Sequence, residues 1–382
     1  MSLHVARRRT NGGRFFRGGM ILTSETATTR RHVLTGLGAA AATAIAAPSL
    51  ALGQAAKPKH HGVIDLHHHF WAPDYLKAQF DWGARHHVPP NAAMAKWRPE
   101  VSLAEMDRGG VRTAVVSLSS ISDGFWGLDA QAGMRIVQAC DDYGAKMMSD
   151  HPGRFGLFAP LSMIDPDTSL KEIEYGLDQI RADGIGLQTS YHEKYLGDAF
   201  FNPIWEELNR RKAVVYLHGP NPACCNGLKV GPGVNISVVE VTFDTTRAVL
   251  SLLSNGTLAR HRDIRWIVSY GGGAIPFLAG RIEAFIEHGS MRADVKPREI
   301  APDGIIPELQ RLCYDTVNVT SPSSWAALTK FVKASQIVYG TDFLYFTDDQ
   351  LDEIDQRGLT AKDKRAILAG NAKRLIPRLA KA

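Results

Sequence analysis

Eight times between Val63 and Asp342 the chain repeats one pattern, a short apolar run followed by a longer stretch of helical periodicity. The runs predict strands at Val63–His69, Thr113–Leu118, Phe155–Ser162, Gly186–Ser190, Val214–His218, Ile264–Tyr270, Leu312–Val319 and Ile337–Asp342. The stretches between them predict helices over Val101–Gly109, Leu128–Asp150, Ser169–Ala182, Pro203–Arg211, Thr245–Asn255, Ile275–Glu287 and Ser323–Lys333. Further helices follow the eighth strand through Leu379. Residues 70–100, rich in Trp, Pro and His, read instead as a long loop. Strands and helices in eightfold alternation are the pattern of a (β/α)8 TIM barrel of the α/β class. The competitor is an open, doubly wound sheet, which usually carries a glycine-rich dinucleotide turn after its first strand. Here His67, His68 and His69 stand at that place.

A chain of 382 residues, 45% of them hydrophobic, can bury one large core. Its formal charge of +5 would suggest a nucleic-acid partner if it were spread over the fold. It is confined to the leader. Residues 1–55 hold seven arginines against the single acid Glu25, a net of +6 that leaves −1 for everything downstream. Nucleic acid is therefore discounted as a partner.

Residues 1–55 read as an export leader and 56–382 as the barrel domain. Thr29-Arg30-Arg31-His32 is a paired-arginine signal, and an alanine-rich run follows to Leu52 with small residues at Ser49, Ala51, Gly53 and Ala55 for cleavage. The run is too poor in leucine, and broken by Pro48, to read as a membrane anchor. The expectation is a twin-arginine substrate, periplasmic or secreted, with no stable membrane insertion once the signal is removed. Translation from Met20 would leave an ordinary short basic region before the arginines. Cys140, Cys224, Cys225 and Cys313 lack C-x-x-C spacing and read as buried thiols, with the vicinal pair open to other uses.

In a barrel, chemistry sits where strands end. The first strand ends in His67-x-His69, whose side chains share a face while His68 points the other way. The fifth ends in His218, the sixth in Tyr270 and the eighth in Asp342. One strand-end histidine alone is more often structural than a ligand. Three imidazoles and a carboxylate converging on one mouth suit a divalent metal, zinc first, with manganese or iron as alternatives.

With those residues in place, the sequence resembles the amidohydrolase superfamily, and within it the branch of aminocarboxymuconate-semialdehyde and 6-methylsalicylate decarboxylases. The matching segments are Ile64–His69, Leu196–Phe200, Pro203–Trp205, Val215–His218, Gly271–Phe277 with Gly280-Arg281, Tyr314–Thr316, Tyr339–Phe343 and Ala369–Leu375. The resemblance implies that His67, His69, His218 and Asp342 are metal ligands in the TIM barrel. It implies decarboxylation of a small aromatic or unsaturated carboxylic acid, with Asp342 as ligand and proton shuttle. Hydrolysis of an ester, lactone or amide on the same site is the alternative. Two-metal members of the superfamily commonly carry a carboxylated lysine at the fourth strand's end. Gln188-Thr189-Ser190 stand there, so a single metal is expected.

This chain departs from the branch at Tyr270, where relatives usually have histidine before the glycines. A phenol of ordinary pKa ~10 is a poor base at neutral pH. Tyr270 therefore reads as a modified catalytic residue, as a position whose task another group has taken, or as the mark of a binding protein without catalysis. His192 is a candidate substitute and substrate contact, against the plainer reading of a surface histidine. By the resemblance Arg281 reaches a neighbouring subunit's site and holds a substrate carboxylate, which also implies a homodimer; a plain helix-surface arginine is the competing reading. Trp71, Phe80, Trp82, Trp97, Phe125 and Trp126 either wall an aromatic pocket or pack over the barrel. Gly271–Gly273 read as a place where backbone passes close to the metal. Asp315 either orients a ligand or is structural.

Overall fold

The computed structural model describes residues 59–87, 90–119, 128–191, 193–219, 231, 236–287, 296–347 and 349–381. Residues 1–55, which the sequence reading takes as an export leader, lie outside the described residues, as do His192, Phe125, Trp126 and the Cys224-Cys225 pair.

All eight predicted strands form: β1 Val63–His69, β2 Val111–Ser117, β3 Phe155–Pro160, β4 Gly184–Gln188, β5 Val214–His218, β6 Arg265–Val268, β7 Cys313–Asp315 and β8 Ile337–Val338. Each pairs in parallel with the next in chain order. The ring is drawn together where the Leu66 N–H donates to the Tyr339 carbonyl at 3.0 Å and the His69 N–H to the Phe343 carbonyl at 2.9 Å. This is the TIM barrel expected from the alternation of strands and helices.

Two apolar layers hold it. Inside the ring, Ile64, Leu66, Val115, Phe158, Tyr216 and Ile267 pack together. Ala372, Leu375, Ile376 and Leu379 join them at the end where the strands begin. That end is pinned by the Arg265 guanidinium, which donates to the Leu375 carbonyl at 2.8 Å. Outside the ring, residues such as Leu157, Leu187 and Leu217 face helix residues including Ile204, Trp205 and Leu252. Helix starts follow local chemistry. Asp129 and Asp165 accept backbone N–H bonds at the starts of Ala130–Asp150 and Pro166–Glu174, and Pro99, Pro166 and Pro322 sit in first turns.

Three local expectations change. Residues 70–100 are not one loop, for they contain helices Pro73–Arg85 and Ala92–Lys96. Pro73 at the first turn with Asp74, and Asn91 capping Ala93 and Met94, are start signals that the aromatic content obscured. The sixth strand stops at Val268, because Tyr270 (φ 56°), Gly271 (φ 58°) and Gly272 (φ 82°) turn left-handed. On β1, Asp65 pairs with Ala114 and His68 with Val116, so three steps oppose two and a bulge interrupts the alternation. The bulge lets Leu66 join the inner core while the His67 ring also faces Tyr216 inside the barrel, 5.3 Å between centroids.

Candidate metal centre

Four strand-end side chains meet. One ligand atom from each of His67, His69, His218 and Asp342 lies within 4.8 Å of every other, and all four residues are buried. Beyond the β1 bulge the alternation of side chains holds. The His67 ring stands 5.1 Å from that of His69 and 5.0 Å from that of His218. His68 turns away, its Nδ1 3.0 Å from Asp65 Oδ2 and its Nε2 2.9 Å from Ser102 Oγ. Asp342 arrives from beyond β8, its N–H donating to the His67 carbonyl at 2.7 Å and its Oδ1 2.9 Å from His69 Nε2. Its φ of 61° is left-handed, a conformation aspartate tolerates better than most residues and one that surrounding bonds must hold.

The donor set fits a divalent cation on its own chemistry. His218 Nδ1 is a buried ring nitrogen without a hydrogen-bond partner, the state in which unpaired polar atoms are costly, and His67 Nε2 stands 3.3 Å from Asp342 Oδ1. Burial pushes His69 below its ordinary value, and pushes His218 well below, helped by the neighbouring histidines. Both rings are thus held neutral, as ligands must be. Burial also acts to lower His67, but the Asp342 and Asp315 carboxylates outweigh it and raise the ring to about 10. The pocket wants positive charge, and a cation supplies it without protonating a ligand.

Asp315, at the end of β7, accepts from His67 Nδ1 at 2.6 Å with both side chains fully buried. Its other oxygen takes the Val317 N–H at 3.1 Å and the Gly271 N–H at 3.4 Å. It therefore orients His67 and fixes which ring nitrogen faces the centre. Tyr270 comes from the turn after β6. Its hydroxyl stands 3.0 Å from His218 Nε2 and 3.3 Å from Asp342 Oδ2. Burial first, and then Asp342, push the phenol well above its ordinary value, so among the chain's own groups it is a hydrogen-bond donor and no base. The glycines after it permit two close approaches. A Cβ on Gly272 would lie 2.5 Å from the Tyr314 ring, and one on Gly273 2.0 Å from the Thr242 carbonyl. They let the turn seat against β7 and the helix Glu240–Ser254.

Of the other candidates, Trp71 stands beside the centre, its ring 6.1 Å from His69, its indole nitrogen buried and unpartnered. Trp97 packs against it at 5.5 Å. Arg281 is on the outer helix Ile275–Glu287, exposed, its guanidinium 4.4 Å from the Phe285 ring. Within one chain it is not part of the centre. Gln188 ends β4 buried with its Oε1 unpartnered, and among the described residues no further ligand-forming side chain joins the four. Tyr345 went unnoticed in the sequence. It is 49% exposed, with its ring 6.0 Å from His69 and 6.5 Å from Trp71, so the two aromatics flank the centre with one edge open to solvent. Its place three residues after Asp342 was the available signal.

Comparison with known proteins agrees with this geometry. The amidohydrolase family profile matches residues 64–378. A curated decarboxylase of Penicillium terrestre, macB, is 31% identical over 329 residues, covering 82% of this chain and 95% of its own length. The 6-methylsalicylic acid decarboxylase of Penicillium expansum is 27% identical over 328 residues, covering 83% and 96%. Among solved structures, 5-carboxyvanillate decarboxylase of Novosphingobium aromaticivorans, complexed with manganese and 4-hydroxy-3-methoxy-5-nitrobenzoic acid, superposes with a TM-score of 0.74 at 18% identity. That superposition covers 83% of this chain and 96% of the other, and it is a likeness of fold.

Proposed function

Because this chain belongs to the amidohydrolase family, matched over residues 64–378, we propose that it is a mononuclear metal-dependent carboxy-lyase. Its substrate class is a small aromatic or unsaturated carboxylic acid, decarboxylated without oxidation. The observation that carries the reading is the convergence of His67, His69, His218 and Asp342 with the Tyr270 hydroxyl. The decarboxylases similar over most of the chain favour carbon–carbon cleavage over hydrolysis on that site.

A divalent cation held by these four side chains supplies Lewis-acid polarisation of a substrate oxygen and stabilises negative charge as it develops. The chain's own groups do the rest. Trp71 and Tyr345, edge to face at 6.5 Å, together wall one side of the place a planar substrate takes beside the centre. Asp342 delivers a proton to the carbon bearing the carboxylate. The carbon–carbon bond then breaks, its electron pair returns to the substrate's unsaturated system, and CO2 leaves. Asp342 regains its proton from solvent, so the net reaction consumes one proton per CO2. Tyr270 donates its hydrogen bond to Asp342 or to a substrate oxygen and keeps the carboxylate aimed.

Three imidazoles with one carboxylate suit zinc first, with manganese or iron as alternatives. The homodimer reading is supported by an exposed stripe on the helix Ile275–Glu287, where Phe277 is 85% and Phe285 44% exposed on either side of Arg281. In such a dimer Arg281 reaches the neighbouring site and meets the substrate carboxylate. His192 remains a candidate substrate contact. The paired arginines Arg30-Arg31 support export to the periplasm or beyond, and no helix among the described residues is long and apolar enough to cross a membrane. Assaying aromatic acids, 6-methylsalicylate included, beside aromatic esters and lactones tests the activity. CO2 release from an acid is expected; ester or lactone cleavage alone would replace the reading with the hydrolase.

A further inference from the structure

A second site lies at the other end of the barrel. A cavity of about 850 Å³ opens where β6 and β7 begin, and six cationic side chains line it with no acid among them: Arg262, Arg265, Arg311, Lys330, Lys333 and Arg374. Cations crowded this way repel one another. Two are neutralised nearby. Arg262 pairs with Asp303 at 2.6 Å and Glu308 at 3.0 Å, and Arg311 pairs with the same buried Glu308.

The other four pair with no carboxylate among the described residues. Arg265 spends its hydrogen bonds on the Lys212 and Leu375 carbonyls, at 2.7 and 2.8 Å, and Arg374 on the Ser335 carbonyl at 2.5 Å. Carbonyls fix a guanidinium in place without cancelling it, so both are preorganised cations. Lys330 and Lys333 are exposed and form no ion pair among the described residues. Trp266 and Phe331 close the floor and are almost fully buried, so what the cavity offers a ligand is charge.

We propose that this basin binds a phosphoryl dianion, free or carried on a small metabolite, at the barrel end opposite the metal-ligand set. The site is independent of the proposed activity. It also touches the strand that serves the centre, since Cys313 lines the basin and Asp315, two residues on, orients His67.

Calorimetric titration of inorganic phosphate and of glycerol phosphate into the metal-loaded protein, at fixed ionic strength, tests it. Saturable binding is expected for wild type, weakened at least about tenfold in a Lys330→Ala, Lys333→Ala double variant. Both positions are exposed, so metal content and unfolding midpoint should not change. Tighter binding of the ester would identify a phosphorylated metabolite as the source, and equal binding free phosphate. Absence of saturable binding, or one isotherm for wild type and variant, would overturn the proposal.

Discussion

The two ends of this barrel are built on opposite terms. Where the strands begin, Leu375, Ile376 and Leu379 plug the ring with apolar side chains that need no polar partner. Where they end, three histidines and two aspartates are buried instead, the Nδ1 of His218 goes unpartnered, and Tyr270 and Asp342 sit at φ 56° and 61°. Unpaired buried polarity and left-handed backbone each cost stability. The plugged end and the outer helix layer offset that cost. Apolar packing thus plugs one end and the metal-ligand set occupies the other, and substitutions should separate the two.

The largest effect should come from the mouth. Asp342→Ala removes the proposed ligand and proposed proton donor together, and kcat for CO2 release should fall by about a thousandfold or more. Circular dichroism and the unfolding midpoint should stay near wild type. At the plugged end Leu375→Ala should do the reverse, costing about 2–5 kcal/mol in denaturant unfolding while leaving kcat unchanged.

Glu172 extends the comparison to the helix layer. It is fully buried, and burial raises its carboxyl from 4.5 to about 7 against the opposing hydrogen bond from the Ser162 N–H. The folded protein therefore binds a proton there that the unfolded chain releases near pH 4.5. Stability from this group is full below that pH and is lost as pH rises through about 7. The loss is about 3 kcal/mol at most. Urea titrations across that window should show the fall, and Glu172→Gln should flatten it without touching turnover. The smallest effect is Tyr270→Phe. It should keep the bound metal and lower kcat by about ten- to a hundredfold, the value of one hydrogen bond to a charged group. Unchanged turnover would remove Tyr270 from the mechanism.

Much of this was legible in the sequence because strand ends are. A barrel brings its strand C-termini to one face, so His67, His69, His218 and Asp342 could be grouped without knowing any distance. Asp315 was harder. Its role depends on reaching His67 across the ring from a strand of only three residues. The helix Pro73–Arg85 hid behind aromatic and proline content, although its start signals were present. Tyr345 lies beyond the last strand, where no periodicity assigns a direction to a side chain. The β1 bulge left no mark in Val-Ile-Asp-Leu-His-His-His, yet it decides that Leu66 and His67 both face inward.

On the proposed mechanism, one divalent ion on these four side chains drives loss of CO2. The direct measurement is metal content and CO2 release on the same preparation, before chelation, after it, and after adding back zinc or manganese. A single ion per chain, release abolished by chelation and release restored by the ion are the predicted result. Undiminished release from metal-free protein would contradict it, as would a metal-loaded protein that releases no CO2 from any acid tested.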